Sequence, residues 1–307
     1  MLERKCNCEE HHSRDTGAQY ACLTAFSHMV ELLNAGSSYS IMINQIEGSF
    51  VYYFLVFGAC IREHAHMRKV IAIDGTHLYG KYGDVLLSAV AQDTENHIFP
   101  ITFWVIDKEN DASWTFFFQK LKSIIEDEPD LCVISDRHIS IANAFSHVNS
   151  CAYHGLCMRH LAENLRVNQH CREHLYLFYA TAKAYTVDGF SADFAKLKNN
   201  IHEAGHVLEN VLSFEKWSKA HFPGNRYDVM NTNIIESLNV MLIDERKYLV
   251  SHIFNLIARK IGENFRERHA FVDSKDNKFV LCAERILRDN MNAGDSLYMI
   301  NVNGDLD

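Results

Sequence analysis

At 307 residues, 48% of them hydrophobic and 22% charged, the chain can bury one large core or two ordinary ones and reads as a globular protein. No apolar run approaches the ~20 residues that a bilayer span needs and no signal peptide is evident, which sets aside membrane and secreted roles. The net charge of −9 disfavours uniform attraction to nucleic acid but leaves room for a local basic face, and nine cysteines without a regular framework fit reduced thiols better than a disulfide scaffold.

The first stretch, residues 1–48, is the least patterned and is expected to be helical or irregular. Cys6, Cys8, His11 and His12 offer soft ligands, but nothing completes the four that structural zinc takes, and a frayed polar terminus is the better reading. From Gln19 to Leu33 the positions Cys22, Leu23, Phe26, Met29, Val30 and Leu33 recur every three or four residues, which predicts an amphipathic helix closed by Asn34-Ala-Gly36. Phe50 to Phe57 is aromatic and β-branched and reads as a strand, followed by a short polar connection to Lys69. Three strands then follow on short Gly- and Asn-containing turns, over Val70–Leu78, Val85–Gln92 and His97–Ile106, an order that favours antiparallel hairpins. Pro100, inside the third, pushes that strand toward a sheet edge.

Asp107 to Ser113 is a polar break rich in N-cap residues, and the helix after it sets Trp114, Phe117, Phe118, Leu121, Ile124 and Ile125 on one broad face. Leu131–Ser135 is a fourth strand, Ile139–Val148 a helix and Ala152–Met158 a fifth strand. Three antiparallel strands followed by helix, strand, helix and strand make an α/β chain with a mixed sheet between helices. Beyond Arg159 the pattern is helical to about Arg268, broken by the loop Pro223-Gly-Asn-Arg-Tyr227. A weak helix ending near Asn290 and a short run over Ser296–Val302 close the sequence.

Three carboxylates stand out. Asp74 ends the apolar run Val70-Ile-Ala-Ile, Asp136 ends Leu131-Cys-Val-Ile-Ser, and Glu236 lies inside the helical pattern Asn233-Ile-Ile-Glu-Ser-Leu-Asn239. Strand ends deliver side chains to a sheet rim, where sites form, and separated carboxylates are what a two-metal phosphoryl-transfer site requires. Any one of them alone is better read as a turn residue or a solvated helix face.

These stretches resemble the transposase domain of plant Mutator-like elements (MULE), a family of the DDE type. The resemblance rests on Arg68-Lys-Val-Ile-Ala-Ile-Asp-Gly-Thr-His-Leu78, Gly83-Asp-Val-Leu-Leu87, Ala91-Gln-Asp93, Asn110-Asp-Ala-Ser-Trp114, Ser135-Asp-Arg137, Cys157-Met-Arg-His160 and Asn233 to Asn239, in the family's order over roughly residues 50–270. It implies a ribonuclease H-like mixed sheet flanked by helices, with an all-helical insertion before the third acidic residue. It also implies that Asp74, Asp136 and Glu236 bind two Mg2+ or Mn2+ ions and catalyse DNA cleavage and strand transfer. The chain then divides into an N-terminal segment (1–48), the first part of the core (49–159), the helical insertion (160–230), core-completing helices carrying Glu236 (231–270) and a C-terminal tail (271–307).

Magnesium takes hard oxygen ligands, which suits these carboxylates and does not suit cysteine. Cys157 and His160, with His154 three residues earlier, could make part of a zinc site, but a fourth ligand is not evident and a packing or site-shaping role is preferred. Trp104 and Trp114 read as core. Trp217 reads as core too, although its place in the insertion makes it the best of the three for DNA contact, and Arg226 is a further possible contact. The partner implied is DNA, at transposon ends, in the nucleus; a homo-oligomer is compatible with the reading and a membrane is not. The zinc modules that flank full-length relatives are not visible, which suggests a core lacking its end-recognition parts, truncated or decayed. The alternative is a domesticated, non-catalytic nuclear protein that uses the fold to bind DNA and regulate transcription.

Overall fold

The run beginning at Val70 becomes the axis of the fold because it is buried on both faces. In the computed structural model it forms strand β3 (Val70–His77). With a side-chain period of two, Val70 and Ala72 enter one core while Ile71 and Ile73 enter another on the opposite face. The residues described are 16–44, 50–79, 84–125, 129–149, 151–168, 172–233, 235, 239–240, 242–272 and a few positions between 285 and 292. The Cys6/Cys8/His11/His12 cluster, residues 80–83, Glu236 and the 296–302 run lie outside them.

In chain order the elements are α1 (Thr16–Leu33), β1 (Ser38–Ile43), β2 (Phe50–Val56), α2 (Gly58–His64), β3, β4 (Val85–Gln92), β5 (Ile98–Ile106), α3 (Asp111–Ile125), β6 (Cys132–Ser135), α4 (Ile139–Val148), β7 (Tyr153–Leu156) and α5 (Met158–Asn168). After them come α6 (Leu175–Lys183), α7 (Val187–Asn200), α8 (His202–His206), α9 (Phe214–Trp217) and α10 (Val250–Val272). The strands form one seven-stranded sheet in the order β1-β2-β5-β4-β3-β6-β7. Pairing is antiparallel from β1 to β3, then parallel from β3 to β6 and from β6 to β7.

Helices α3 and α4 cover one face. The first is started by Asn110, whose side-chain oxygen accepts the Ser113 N–H at 2.9 Å, three residues before the position from which the sequence pattern predicted it. Trp114, Phe117, Phe118 and Leu121 pack there against Ile73, Leu87 and Trp104. The other face is covered by α1, α10 and the segment around Val229, Ile235 and Leu242. A third core lies within the expected insertion but begins earlier, at Leu156 and Met158, and is centred on Trp217 among Phe178, Phe190, Phe194 and Phe214.

Three sequence expectations need correcting. The stretch 1–48 contains a strand: β1 pairs along β2 at the sheet edge, and its half-exposed Ser-Tyr-Ser-Ile-Met-Ile pattern hid it. The connection after Phe57 contains α2. It starts at Gly58, where an added Cβ would stand 2.2 Å from the Ala35 carbonyl oxygen, so the close approach of the 35–37 turn requires glycine. Pro100 does not mark an edge strand, because β5 lies between β2 and β4. The pairing with β2 stops at Thr102, and at Pro100 only β4 remains, beside the irregularity between Ala89 and Val90; the missing N–H is tolerated there.

Candidate active site

The site grows from two neighbouring parallel strands. Pairing runs Val70 with Cys132, Ile71 with Val133 and Ala72 with Ile134, and the same register carried two residues further sets Asp74 beside Asp136. By the same alternation Asp74 shares a face with Val70 and Ala72, the face covered by the segment around Ile235. Its Oδ1 accepts the Gly75 N–H at 3.0 Å. Asp136 follows β6, and its Oδ1 accepts the His138 N–H at 2.7 Å, turning the chain into α4. Below it, the Ser135 hydroxyl donates to the Asp136 carbonyl at 2.7 Å and meets His154 Nε2 at 2.8 Å.

Electrostatically the pair is under load. Burial raises the Asp74 pKa from 3.8 to about 6, the negative Asp136 adds to the rise, and His160, the Gly75 N–H and Arg159 oppose it. A nearby cation favours the charged form of such a carboxylate. The donor set of hard oxygens on one rim suits a divalent oxygen-seeking ion. Among the described residues no group of three His, Cys, Asp or Glu side chains is placed to hold a metal; Asp74 and Asp136 make two, and Glu236 lies outside those residues.

Basic groups flank the carboxylates. Arg159 Nη2 stands 3.1 Å from His160 Nε2, Arg137 Nη2 donates to Asn164 Oδ1 at 3.3 Å, and Asn164 Nδ2 donates to the His160 carbonyl at 2.9 Å. These contacts tie the start of α5 to the loop after β6. Arg137, Arg159 and Asn164 were not singled out from sequence, although both arginines sit inside the quoted motifs beside Asp136 and His160.

Cys157 and His160 stand at the junction of β7 and α5. Cys157 is fully buried, and its sulfur lies 3.4 Å from Thr232 Oγ1 and accepts the Thr232 N–H at 3.3 Å. Burial pushes the thiol pKa up, but His160 and Thr232 outweigh it and bring it to about 7. His160 is raised in turn, by Cys157 first and also by Asp74, while burial lowers it. Its Nδ1 has no partner of full hydrogen-bond geometry, so the contact with the sulfur is a loose one. His154 faces elsewhere, with its ring stacked on Phe145 and its pKa pushed down to about 3 by burial, Lys216 and Arg226.

The two candidates for DNA contact are committed inside the protein. Trp217 is fully buried, with its indole N–H donating to the Leu208 carbonyl at 3.3 Å. Arg226 is 3% exposed and donates to the Leu156 carbonyl at 3.0 Å and the Lys216 carbonyl at 3.4 Å. For Trp217 the core reading holds and the DNA-contact alternative does not; for Arg226 burial in the lobe overturns the DNA-contact expectation.

Comparison with known proteins bears on the same stretch. No curated protein matches the chain. Among solved structures, a chain of the cryo-EM structure of the simian T-cell lymphotropic virus intasome in complex with PP2A regulatory subunit B56 gamma is similar at 12% identity, with a TM-score of 0.22. That alignment covers 54% of this chain and 58% of the other, too loose a likeness to argue from. The family model of the MULE transposase domain matches residues 70–164, from the first residue of β3 to Asn164 in α5, with Asp74, Asp136, Cys157 and His160 inside it. Residues 70–164 of this chain are therefore similar to a MULE transposase domain.

Proposed function

We propose that the protein is a Mutator-like DNA transposase core that cleaves and rejoins DNA strands at a DDE site on a ribonuclease H-like sheet. Asp74, Asp136 and Glu236 would hold two divalent ions, Mg2+ or Mn2+. The observation that carries the reading is the pairing of β3 and β6, which brings two carboxylates side by side with one of them driven toward protonation. Three hairpin strands followed by two parallel strands, with helices on both faces, agree with that sheet. Support for Glu236 is indirect: its neighbour Ile235 is buried in the core on the face that Asp74 shares.

Bound divalent ions supply positive charge to the attacking and leaving oxygens of a phosphodiester and lower the pKa of an attacking water or 3′-hydroxyl. The chain's residues do the rest. Asp74 and Asp136 would hold the ions, and His160 and Arg159 favour the charged form of Asp74 that binding would need. Arg137 and Arg159, beside the carboxylates, suit the non-bridging oxygens of a DNA backbone. No covalent protein nucleophile is required. The partner is DNA and the compartment the nucleus.

A second reading is a non-catalytic nuclear DNA-binding regulator derived from a transposase, which would keep the fold without using divalent ions. The deciding experiment is nicking of DNA that carries transposon terminal repeats, with and without Mg2+ or Mn2+, comparing the protein with Asp136→Asn. The catalytic reading expects metal-dependent nicking that falls at least about a hundredfold in the variant, because even outer partners of metal ligands cost 10–100-fold. DNA binding with no metal-dependent nicking supports the second reading.

A further inference from the structure

We infer that Cys157 is a positioning residue: its sulfur clasps the 226–232 segment, and with it the chain leading to Glu236, against the rim that carries Asp74 and Asp136. The inference rests on the reading of Glu236 as the third acid and names the contact that holds the described segment four residues before it in sequence.

Three successive residues at the β7–α5 junction are each tied to one short segment about seventy residues later. The Leu156 carbonyl accepts from Arg226 at 3.0 Å, the Cys157 sulfur accepts from the Thr232 amide at 3.3 Å and meets its hydroxyl at 3.4 Å, and the Met158 amide donates to the Met230 carbonyl at 2.8 Å. Cys157 and Thr232 are both fully buried, so these contacts do not compete with water. Gly155 belongs to the same device, since an added Cβ there would stand 3.1 Å from the Arg226 guanidinium carbon. Arg226 carries a buried charge whose hydrogen bonds go to the Leu156 and Lys216 carbonyls. Burial lowers its pKa, and the Cys132 and Cys157 sulfurs are the groups that oppose this.

The other contacts of Cys157 lead to the first two acids. Its amide donates to the Ser135 carbonyl at 2.7 Å, one residue before Asp136. His160, one turn into α5, lies between the Cys157 sulfur and Asp74 electrostatically. Thr232 is four residues before Glu236 in sequence. One side chain and its own amide therefore connect the end of β6, the environment of Asp74 and the approach to Glu236.

A buried cysteine that served only as a small apolar filler would behave differently. For a filler, Cys157→Ala keeps the environment apolar and Cys157→Ser is the worse change. For a clasp, Ser keeps an acceptor for the Thr232 amide and Ala does not, so the ranking reverses.

The test compares the full-length chain with Cys157→Ala, Cys157→Ser and Thr232→Val. Amide hydrogen exchange is followed without metal, and Mn2+ affinity is measured by titration. The clasp expects exchange over residues 226–235 to rise about tenfold or more in Cys157→Ala while residues 70–76 and 132–136 keep wild-type protection. Cys157→Ser should stay near wild type and Thr232→Val fall between. Mn2+ affinity should weaken about tenfold or more in Cys157→Ala and recover in Cys157→Ser. Unchanged exchange in both Cys157→Ala and Thr232→Val, or a serine variant worse than the alanine one, overturns the inference. Should Cys157→Ala not fold, the isosteric Thr232→Val and the serine variant decide it. Should the wild-type protein bind no Mn2+, the metal-site reading fails, and the clasp stands or falls on exchange alone.

Discussion

Replacing Asp74 with asparagine should stabilise the metal-free protein at neutral pH, and the size of the effect follows from the site. Burial and the neighbouring Asp136 raise the Asp74 pKa from 3.8 to about 6. At about 1.36 kcal/mol per tenfold change in proton affinity, the ionised carboxylate costs the folded state about 3 kcal/mol above pH 6. The sign follows from the folded protein binding this proton more tightly than the unfolded chain. The cost is absent below pH ~3.8, where both states are protonated, builds as pH rises to ~6 and is complete beyond it. At pH 4.5 only about 1 kcal/mol of it is present. The asparagine oxygen can keep the hydrogen bond from the Gly75 amide, so little is lost in exchange. Urea unfolding in a chelator should therefore show Asp74→Asn more stable by up to about 3 kcal/mol at pH 7.5 and by about 1 kcal/mol at pH 4.5. Saturating Mn2+ should close the gap by stabilising only the wild type. A variant less stable than wild type at pH 7.5, or a difference that does not change with pH, would refute the reasoning.

Two further outcomes follow from the fold and the rim. Trp217→Ala should cost about 3–5 kcal/mol, read by urea unfolding, because the indole fills the centre of the helical lobe; in conditions where the variant stays folded, DNA affinity should not change. Arg137→Ala and Arg159→Ala should each weaken DNA binding without altering sequence preference and lower the slope of log affinity against log salt by about 1, measured by anisotropy over a KCl series.

The central sheet was legible because its strands are buried on both faces and separated by turns of recognisable chemistry. Val70-Ile-Ala-Ile is apolar throughout since each face meets its own core, although β3 runs on past Asp74 to His77. Strand β1 was not legible, because an edge strand with one partner need not hide its Ser38 and Ser40 positions. Pro100 misled because a rule about whole strands failed to register that one strand can be interior over one half and singly paired over the other. Arg226 misled for a related reason: residue type favours a nucleic-acid surface, whereas its burial depends on a contact with Leu156, seventy residues earlier in the chain. The proximity of His160 and Arg159 to Asp74 lay beyond sequence reading as well, since it depends on how α5 leaves β7.

The most direct test of the account is a crystal of the protein grown or soaked with Mn2+ and recorded at an anomalous wavelength. The expected result is density between the Asp74 and Asp136 carboxylates, with Glu236 completing the ligands and, when two ions are bound, a separation of ~3.5–4 Å. Saturating Mn2+ with no density between Asp74 and Asp136, or an ion there with the Glu236 carboxylate turned away from it, would contradict the assignment and leave the family match to speak for the domain alone.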